Sequence, residues 1–565
     1  MSFSKDYEQW KRDPFFDETI RNELNNITDQ KEIEDRFYRD LEFGTGGLRG
    51  IMGAGTNRFN KYTIGKATTG LGKYLLDEYG PQECRNRGVV VGYDTRNHSA
   101  EYACSTANVL SAMGIRVYLH DSARPTPQLS FAVREFQCLA GVVITASHNP
   151  KDYNGYKVYD QHGCQFTPDK VKKMIPYINS ICDYHCINFC GVSKLIQEVD
   201  ITEKFVQAVL KQSLNKCESE KRNLKIIYTP IHGTGRVPVW RTLKNAGFTF
   251  VDIIKEQMDE NGEFPTVASP NPEERSALDM AIKYAEKVDA DIVLGTDPDS
   301  DRVGVAVKTP EGYCLMTGNQ IGALLMDYIL RNLDLSQYQK PAIVKTIVTS
   351  ELGAEIARKK GITVFSTLTG FKFIGEKITQ FEQAKITGNQ EQNYDYIFGY
   401  EESYGYLAGT HVRDKDAVVS CMLICEMAAA YKAEGKNLVD QINQLYKEFG
   451  YYLDYLDSFT LKGKDGLEKI NSMMHNLRTS ESPFSETVAF TDYSLSVKAE
   501  CGFGYLPKSD VLRFTLKDGS WIAVRPSGTE PKIKIYYSIK GDNRSVAEHK
   551  FKEIRKDILV FLGLP

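Results

Sequence analysis

Gly141-Val142-Val143-Ile144-Thr145-Ala146-Ser147-His148-Asn149-Pro150 reads as a buried strand that runs straight into a polar loop. The same alternation precedes it. Val89-Val90-Val91-Gly92-Tyr93 is an apolar run ending at Asp94-Thr95-Arg96, and a helix is expected from Ser99 to Met113, closed by Gly114. Val117-Tyr118-Leu119 follows as a strand, and Pro127 to Phe136 as a helix. Strands alternating with helices predict a mostly parallel sheet covered by helices on both faces.

The pattern recurs downstream. Leu224–Tyr228 and Phe248–Ile254 read as strands, with helices at Val237–Asn245 and Ala277–Lys287, and Asp291–Leu294 as the next strand. A third round has a helix from Asn319 to Leu333, strands at Ala342–Val348, Ile362–Ser366 and Tyr396–Phe398, and a long helix at Ala417–Ala433. Three α/β units of similar size suggest structural repetition, although no residue-level repeat is visible. After about residue 455 the texture becomes α+β: a helix over Gly466–Leu477, a hairpin of Val511–Leu516 and Trp521–Val524 turned by Asp518-Gly519, a strand at Ile533–Tyr537, and a terminal helix at Val546–Leu562. Residues 1–40 read as helical arms, and Gly44 to Gly50 as a flexible loop.

Composition narrows the function. At 565 residues the chain should hold about three to five domains. Its 42% hydrophobic and 25% charged residues are those of an ordinary globular protein. A net charge of −4 argues against nucleic-acid or anionic-membrane partners. No apolar run approaches a membrane span, and the start MSFSKDYEQWKRDPFF has no signal-peptide core. Twelve cysteines then suggest reduced thiols in a cytoplasmic protein. Cys182, His185, Cys186 and Cys190 lack the spacing of a zinc site, and the cysteines are read as small apolar residues on one helix face.

Four loops at strand ends carry the chemistry, as expected for open α/β sheets. Asp297-Pro298-Asp299-Ser300-Asp301-Arg302 follows the apolar run Ile292–Gly295. In extended chain the three aspartates share one face and converge, as Mg²⁺ prefers, while Arg302 would hold a phosphate. An EF-hand is excluded, because Arg302 stands where its Gly is needed and Lys308 where its Glu is needed. A plain acidic turn is the bland alternative. In the second loop, Ser147 could be a nucleophile or carry a phosphoryl group beside the metal. His148 is not expected to be its base, since adjacent side chains in extended chain point apart. Gly399-Tyr400-Glu401-Glu402-Ser403-Tyr404-Gly405 suits sugar hydroxyls. Arg525-Pro526-Ser527-Gly528-Thr529-Glu530-Pro531-Lys532 offers an Arg, hydroxyls and free N–H groups to a phosphate dianion, and is no Walker A loop.

Together, TASHNP, DPDSDR, YEES and RPSGTEPK, in this order, resemble the α-D-phosphohexomutase superfamily. TGGLRG near the start, NGYK at 154–157, YTPIHGTG, FPTVASPNPEE and TLTGFK at 367–372 extend the resemblance over nearly the whole chain. YEESYGYL and RDKDAV look most like the branch of phosphoglucomutases and phosphopentomutases. The resemblance implies an α/β fold: three similar α/β domains with mixed sheets and a smaller C-terminal α+β domain around a central cleft. It implies a phosphoserine domain at 1–205, a metal domain at 206–313, a sugar domain at 314–455 and a phosphate-binding domain at 456–565. The implied reaction interconverts glucose 1-phosphate and glucose 6-phosphate through a phosphoserine at 147 and a glucose 1,6-bisphosphate intermediate. Mg²⁺ would be held by Ser147, Asp297, Asp299 and Asp301, with Arg302 on the phosphoserine. Lys157 would be the general acid/base, its pKa lowered beside Arg49, and His148 would orient phosphate. Glu401, Ser403 and Lys372 would grip the sugar, and Arg525, Ser527, Gly528 and Thr529 the distal phosphate.

Two departures stand out. Tyr400 replaces the usual Gly of the sugar loop, so the backbone there could run differently, and Gly405 stands where bacterial phosphomannomutase/phosphoglucomutases carry His. The second acid/base is therefore open, with His232 and His411 as loose candidates. Phosphopentomutase or phosphomannomutase activity, a non-catalytic sugar-phosphate-binding protein and a metal-dependent phosphatase are the competing readings. Oligomeric state is not legible in the sequence.

Overall fold

The computed structural model describes residues 3–44, 46–215, 218–461, 463–527 and 532–565. The chain divides into two compact units, residues 1–308 with 407–426, and residues 309–406 with 427–565.

The first unit is built on two sheets. One runs in the order Leu48–Ile51, Tyr153–Asp160, Ala140–Ile144, Val89–Tyr93, Val117–His120, Ile196–Val199. The last four pair in parallel, and the first two join antiparallel. Val89, Val90 and Val91 are all fully buried, as strands covered on both faces should be. The crossover helices Ser99–Ala112 and Thr126–Glu135 lie where the sequence predicts them. In the second sheet Ile292–Thr296 and Phe250–Ile253 flank Lys225–Thr229 in parallel, and Val303–Thr309 returns antiparallel to Ile292–Thr296.

Several local expectations change. The glycine-rich stretch 44–50 does not stay a loop: Leu48–Ile51 is an edge strand, stabilised by pairing with Tyr153–Asp160. Residues 182–190 are not one helix. The helix Pro168–Asn179 ends first, Tyr184–Cys186 is a single 3₁₀ turn, and Cys182, Cys186 and Cys190 are exposed. The buried anchors there are Ile181 and Ile187, against Val109. The helix Lys61–Asn86 goes unpredicted because glycines mask its periodicity. Those glycines let helices approach closely: a Cβ on Gly70 would lie 2.8 Å from the backbone of Ile178. The N-terminal helices Phe3–Arg12, Glu18–Asn26 and Gln30–Phe37 are more than arms, since Trp10, Phe16, Phe37 and Tyr62 form an aromatic core.

The second unit also has two sheets. Thr363–Thr367, Pro341–Thr346 and Asp395–Glu401 pair in parallel. The C-terminal sheet is antiparallel, in the order Tyr451–Thr460, Lys532–Gly541, Trp521–Pro526, Leu512–Leu516, Thr487–Asp492. A shared core, with Ile347, Val348, Leu368 and Phe373 on one side and Trp521, Ala523 and Tyr536 on the other, joins the two sheets. The whole is an α/β fold of three similar domains plus a C-terminal domain.

Candidate active site

The parallel register sets the site. Tyr93 lies opposite Ile144, so Asp94-Thr95-Arg96 and Thr145-Ala146-Ser147 leave the sheet at one carboxyl edge. Ser147 is buried, with φ +53°, and its N–H donates to Thr145 Oγ1 at 2.8 Å. That left-handed backbone turns the side chain. Ser147 Oγ lies 2.7 Å from Asp297 Oδ2 and 3.2 Å from His148 Nδ1. The sequence argument against His148 assumed extended chain, and the turn overturns it: serine and imidazole meet. Burial pushes the His148 imidazole well below the usual histidine range, and Arg302 and Arg49 add to it.

The aspartates also converge by a turn. The strand stops at Thr296, Ser300 N–H donates to Asp297 O at 2.9 Å, and Ser300 itself has φ +50°. Asp297 Oδ1 accepts from the N–H groups of Asp301 at 3.1 Å and Arg302 at 3.0 Å. Thr234 N–H, from the HGTG loop, braces the turn at Pro298 O, 2.9 Å away. All three carboxylates are buried, and each offers an oxygen within 4.8 Å of the others. Burial, reinforced by Asp299 and Asp301, pushes Asp297 well above the usual carboxylate range. Burial would raise Asp299 too, but Lys157 and Lys415 outweigh it and hold it low.

Cations crowd this cluster. Lys157 Nζ lies 3.0 Å from Asp299 Oδ2 and 3.7 Å from Asp301 Oδ2. Two carboxylates thus flank the Lys157 ammonium, and Arg49 Nη1 donates to Asn149 Oδ1 at 3.2 Å. Arg302 Nη1 pairs with Glu273 at 2.5 Å, so in this structure it is held by a carboxylate. Even so, Asp299 Oδ1 and Asp301 Oδ1 are buried without a hydrogen-bond partner. Orphaned hard oxygens amid clustered acids are the donor set of a divalent cation, so the residues fit a divalent-metal site.

Sequence reading missed four participants. Thr126 donates both its N–H and its Oγ1–H to Asp299, each at 2.9 Å. Lys415 Nζ reaches Asp301 Oδ2 at 2.6 Å. Arg96 and Glu273 complete the set. The strand-end position of Asp94-Thr95-Arg96 and the charged string RDKDAV were the available signals. His232 bonds Asp259 O and Thr266 Oγ1, and His411 pairs with Asp416 at 2.8 Å.

The second unit gathers the other candidates. Glu401, buried at the end of Asp395–Glu401, accepts from Gly370 N–H at 2.8 Å. Lys372 is buried in the first turn of the adjoining helix Phe371–Ile386. Ser403 is half-buried in the turn after Glu401. Tyr400 does not divert the backbone: it keeps strand register with Lys345, and its ring is buried. The side chain fills a slot left by two glycines. A Cβ on Gly322 would lie 2.2 Å from the ring, and one on Gly353 would lie 2.4 Å from the hydroxyl. Arg525 lies near the end of the strand Trp521–Pro526 and Ser527 just past it, with Ser527 N–H donating to Lys532 O at 2.7 Å. Gly528 and Thr529 lie outside the described residues. Tyr536 links the groups: burial raises its hydroxyl, and the charges of Glu402, Arg525 and Glu401 all act on it.

The chain belongs to the phosphoglucomutase/phosphomannomutase family: its alpha/beta/alpha domains I, II and III match residues 40–184, 203–312 and 317–449, and its C-terminal domain matches 461–554. The chain is 36% identical over 542 residues to a phosphoglucomutase of Staphylococcus haemolyticus (strain JCSC1435), covering 94% of each. It is 39% identical over 527 residues to a phosphoglucomutase of Staphylococcus aureus (strain MRSA252), covering 90% of this chain and 92% of that one. Two solved structures share the fold. One is a phosphoglucomutase/phosphomannomutase family protein from Burkholderia thailandensis, with TM-score 0.66, 18% identity, and 92% of this chain and 97% of that one covered. The other is pp63/parafusin from Paramecium in an open form, with TM-score 0.69, 18% identity, and coverage of 93% and 96%. Among the described residues no helix is long and apolar enough to cross a membrane.

Proposed function

We propose that the protein is a phosphoglucomutase, an isomerase that interconverts glucose 1-phosphate and glucose 6-phosphate. The observation that carries this is Ser147 Oγ, 2.7 Å from Asp297, itself one of a buried trio with Asp299 and Asp301 that Lys157 pairs with. The curated phosphoglucomutases aligned along almost the entire chain support it.

Ser147 carries the phosphoryl group. The bond between its Oγ and phosphorus breaks as a sugar hydroxyl oxygen forms the new bond to phosphorus; the reverse step returns the second phosphoryl of glucose 1,6-bisphosphate to Ser147. Such transfer depends on alignment and charge neutralisation more than on covalent help. A Mg²⁺ ion bound by Ser147, Asp297, Asp299 and Asp301 would supply Lewis-acid stabilisation of the phosphoryl oxygens. Lys157 and Lys415 hold the carboxylates in place. In its neutral amine form Lys157 takes the proton of the attacking hydroxyl, and the resulting ammonium returns one in the reverse step, with Arg49 fixing the neighbouring loop through Asn149. His148 stays neutral and orients the phosphoryl group, with Arg302 as a further contact to it. Glu401, Ser403 and Lys372 bind sugar hydroxyls, and Arg525, Ser527, Gly528 and Thr529 bind the non-reacting phosphate. Eleven free cysteines among the described residues support a reducing, cytoplasmic setting.

The test is intact mass before and after glucose 1,6-bisphosphate, with parallel turnover assays on glucose 1-phosphate, mannose 1-phosphate and ribose 1-phosphate. One added phosphoryl group on Ser147 and preference for the glucose ester are expected. A chain that gains no phosphoryl group, or prefers the mannose or pentose ester, refutes this reading.

A further inference from the structure

We infer that Arg96 is a positioning residue that holds the Ser147 turn in its reactive shape. The inference rests on the mutase reading for its kinetic consequence, but its geometry stands alone. Arg96 is buried at the carboxyl edge of Val89–Tyr93, and its guanidinium gathers four backbone carbonyls, three from the Ser147 loop and one from the first residue of the strand that follows it. Nη2 donates to Ser147 O at 2.5 Å and to Asn149 O; Nη1 donates to Pro150 O at 2.8 Å and to Tyr153 O at 3.1 Å. Nε faces Asp94 Oδ2 at 3.4 Å, and Asp94 is itself bonded by Ser99 Oγ and the Arg96 N–H.

Two consequences follow from the donor inventory. Arg96 turns its two Nη groups to the four carbonyls and its Nε to Asp94, so it acts through the loop and not on a phosphate. Three of those carbonyls lie in the loop that opens on a left-handed, non-glycine turn at Ser147, a conformation that persists only when its surroundings over-determine it. A planar fork can serve four converging acceptors at once; a lysine ammonium cannot. With Ser147 O fixed, Oγ stays on Asp297 and His148.

The clamp is itself seated from the metal-binding domain. The Arg96 guanidinium lies 5.1 Å from the ring centroid of Phe264, which is buried and has φ +45°. Adjacent links fix that loop: Asn97 Nδ2 and Lys151 Nζ both donate to Glu263, at 2.5 and 2.8 Å, and Ser269 Oγ donates to His148 O at 3.4 Å. The loop that carries Phe264 therefore meets the serine turn both through the Arg96 guanidinium and through the direct link of Ser269 to His148 O.

Arg96→Lys, Arg96→Ala and Phe264→Leu test the proposal in the full chain with glucose 1-phosphate, alongside amide hydrogen exchange. For Arg96→Lys, kcat is expected to fall about 100-fold with KM within about threefold, because a misplaced nucleophile costs turnover and not binding. Exchange at residues 145–155 should quicken about tenfold while the remainder of the sheet is unchanged. Free guanidinium should restore part of the Arg96→Ala loss, and Phe264→Leu should show a smaller change of the same kind. A kcat within about threefold of wild type in Arg96→Lys, a loss carried by KM, or unchanged exchange at 145–155 overturns the clamp. If Arg96 variants do not fold, Phe264→Leu decides on the same readouts. A wild-type chain without mutase activity sinks the functional reading alone, since exchange still tests the clamp.

Discussion

One hydroxyl proton governs Ser147. Its Oγ touches both Asp297 Oδ2 and His148 Nδ1. If the proton goes to Asp297, the imidazole must donate from Nδ1 toward Oγ, and the same N–H would then meet a phosphoryl oxygen on Ser147. Ser147→Ala is accordingly expected to abolish turnover while glucose 1-phosphate still binds by calorimetry; wild-type-like turnover would refute the carrier role. A second residue has a pH consequence. His120 is buried at the end of Val117–His120, neither ring nitrogen has a hydrogen-bond partner, and burial lowers its pKa from 6.5 to about 4. The unfolded chain binds the proton first as pH falls, so the folded state is fully stable above about pH 6.5 and loses stability down to about pH 4. The loss is roughly 3 kcal/mol at about 1.4 kcal/mol per unit. Replacing His120 with Gln should flatten the difference between urea midpoints at pH 7 and pH 4.5; an unchanged slope would exclude His120 as its source.

Between elements, the sugar-loop strand depends on shape. Tyr400 occupies a slot between the helices Gly318–Asn332 and Glu351–Lys359 that only glycine at 322 and 353 leaves open. Gly353→Ala should cost about 1–3 kcal/mol through overpacking. Since the clashing atom is the hydroxyl, Tyr400→Phe in the same chain should recover much of that loss in thermal midpoint. No recovery would place the strain elsewhere. The hairpin of Trp521–Pro526 and Lys532–Gly541 carries Arg525. Arg525→Ala is expected to weaken glucose 1-phosphate binding far more than glucose binding, and equal losses would remove Arg525 from the phosphate site.

Over the whole molecule, the first unit is completed by residues that arrive late in the chain. Tyr159 donates to Asp414 at 2.6 Å, Lys415 reaches Asp301 at 2.6 Å, and buried Glu426 pairs with Lys221 at 2.9 Å. A fragment ending at residue 308 loses all three partners and the buried segment 417–425, so it should express poorly and melt well below the full chain. A fragment that melts with the full chain would show this segment to be dispensable. On the proposed mechanism, metal dependence belongs to the assembled cluster of Asp297, Asp299 and Asp301. EDTA should abolish activity and Mg²⁺ restore it, with Ca²⁺ a poor substitute because its longer bonds ask for more ligands than three carboxylates supply. Activity that survives exhaustive chelation would remove the metal from the mechanism.

The alternation of apolar runs and helices, the three aspartates and the strand-end Ser147 were all legible in the chain, because strand period and loop composition are local properties. So was the family, through motifs carried in order. Backbone hand at Ser147 and Ser300 was not, since nothing in a Ser residue demands positive φ; hence His148 was turned away from Ser147 on paper and meets it in the fold. Nor could sequence give the partners of Arg302 and Lys157, or enlist Thr126, Arg96 and Lys415. Their decisive contacts are remote in sequence, 29 residues for Arg302 with Glu273 and 173 for Thr126 with Asp299. Sequence determined which chemical groups stand at the ends of which strands. Tertiary structure decided which of them touch, because sheet register and loop closure bring together carboxylates and amines that no local pattern relates.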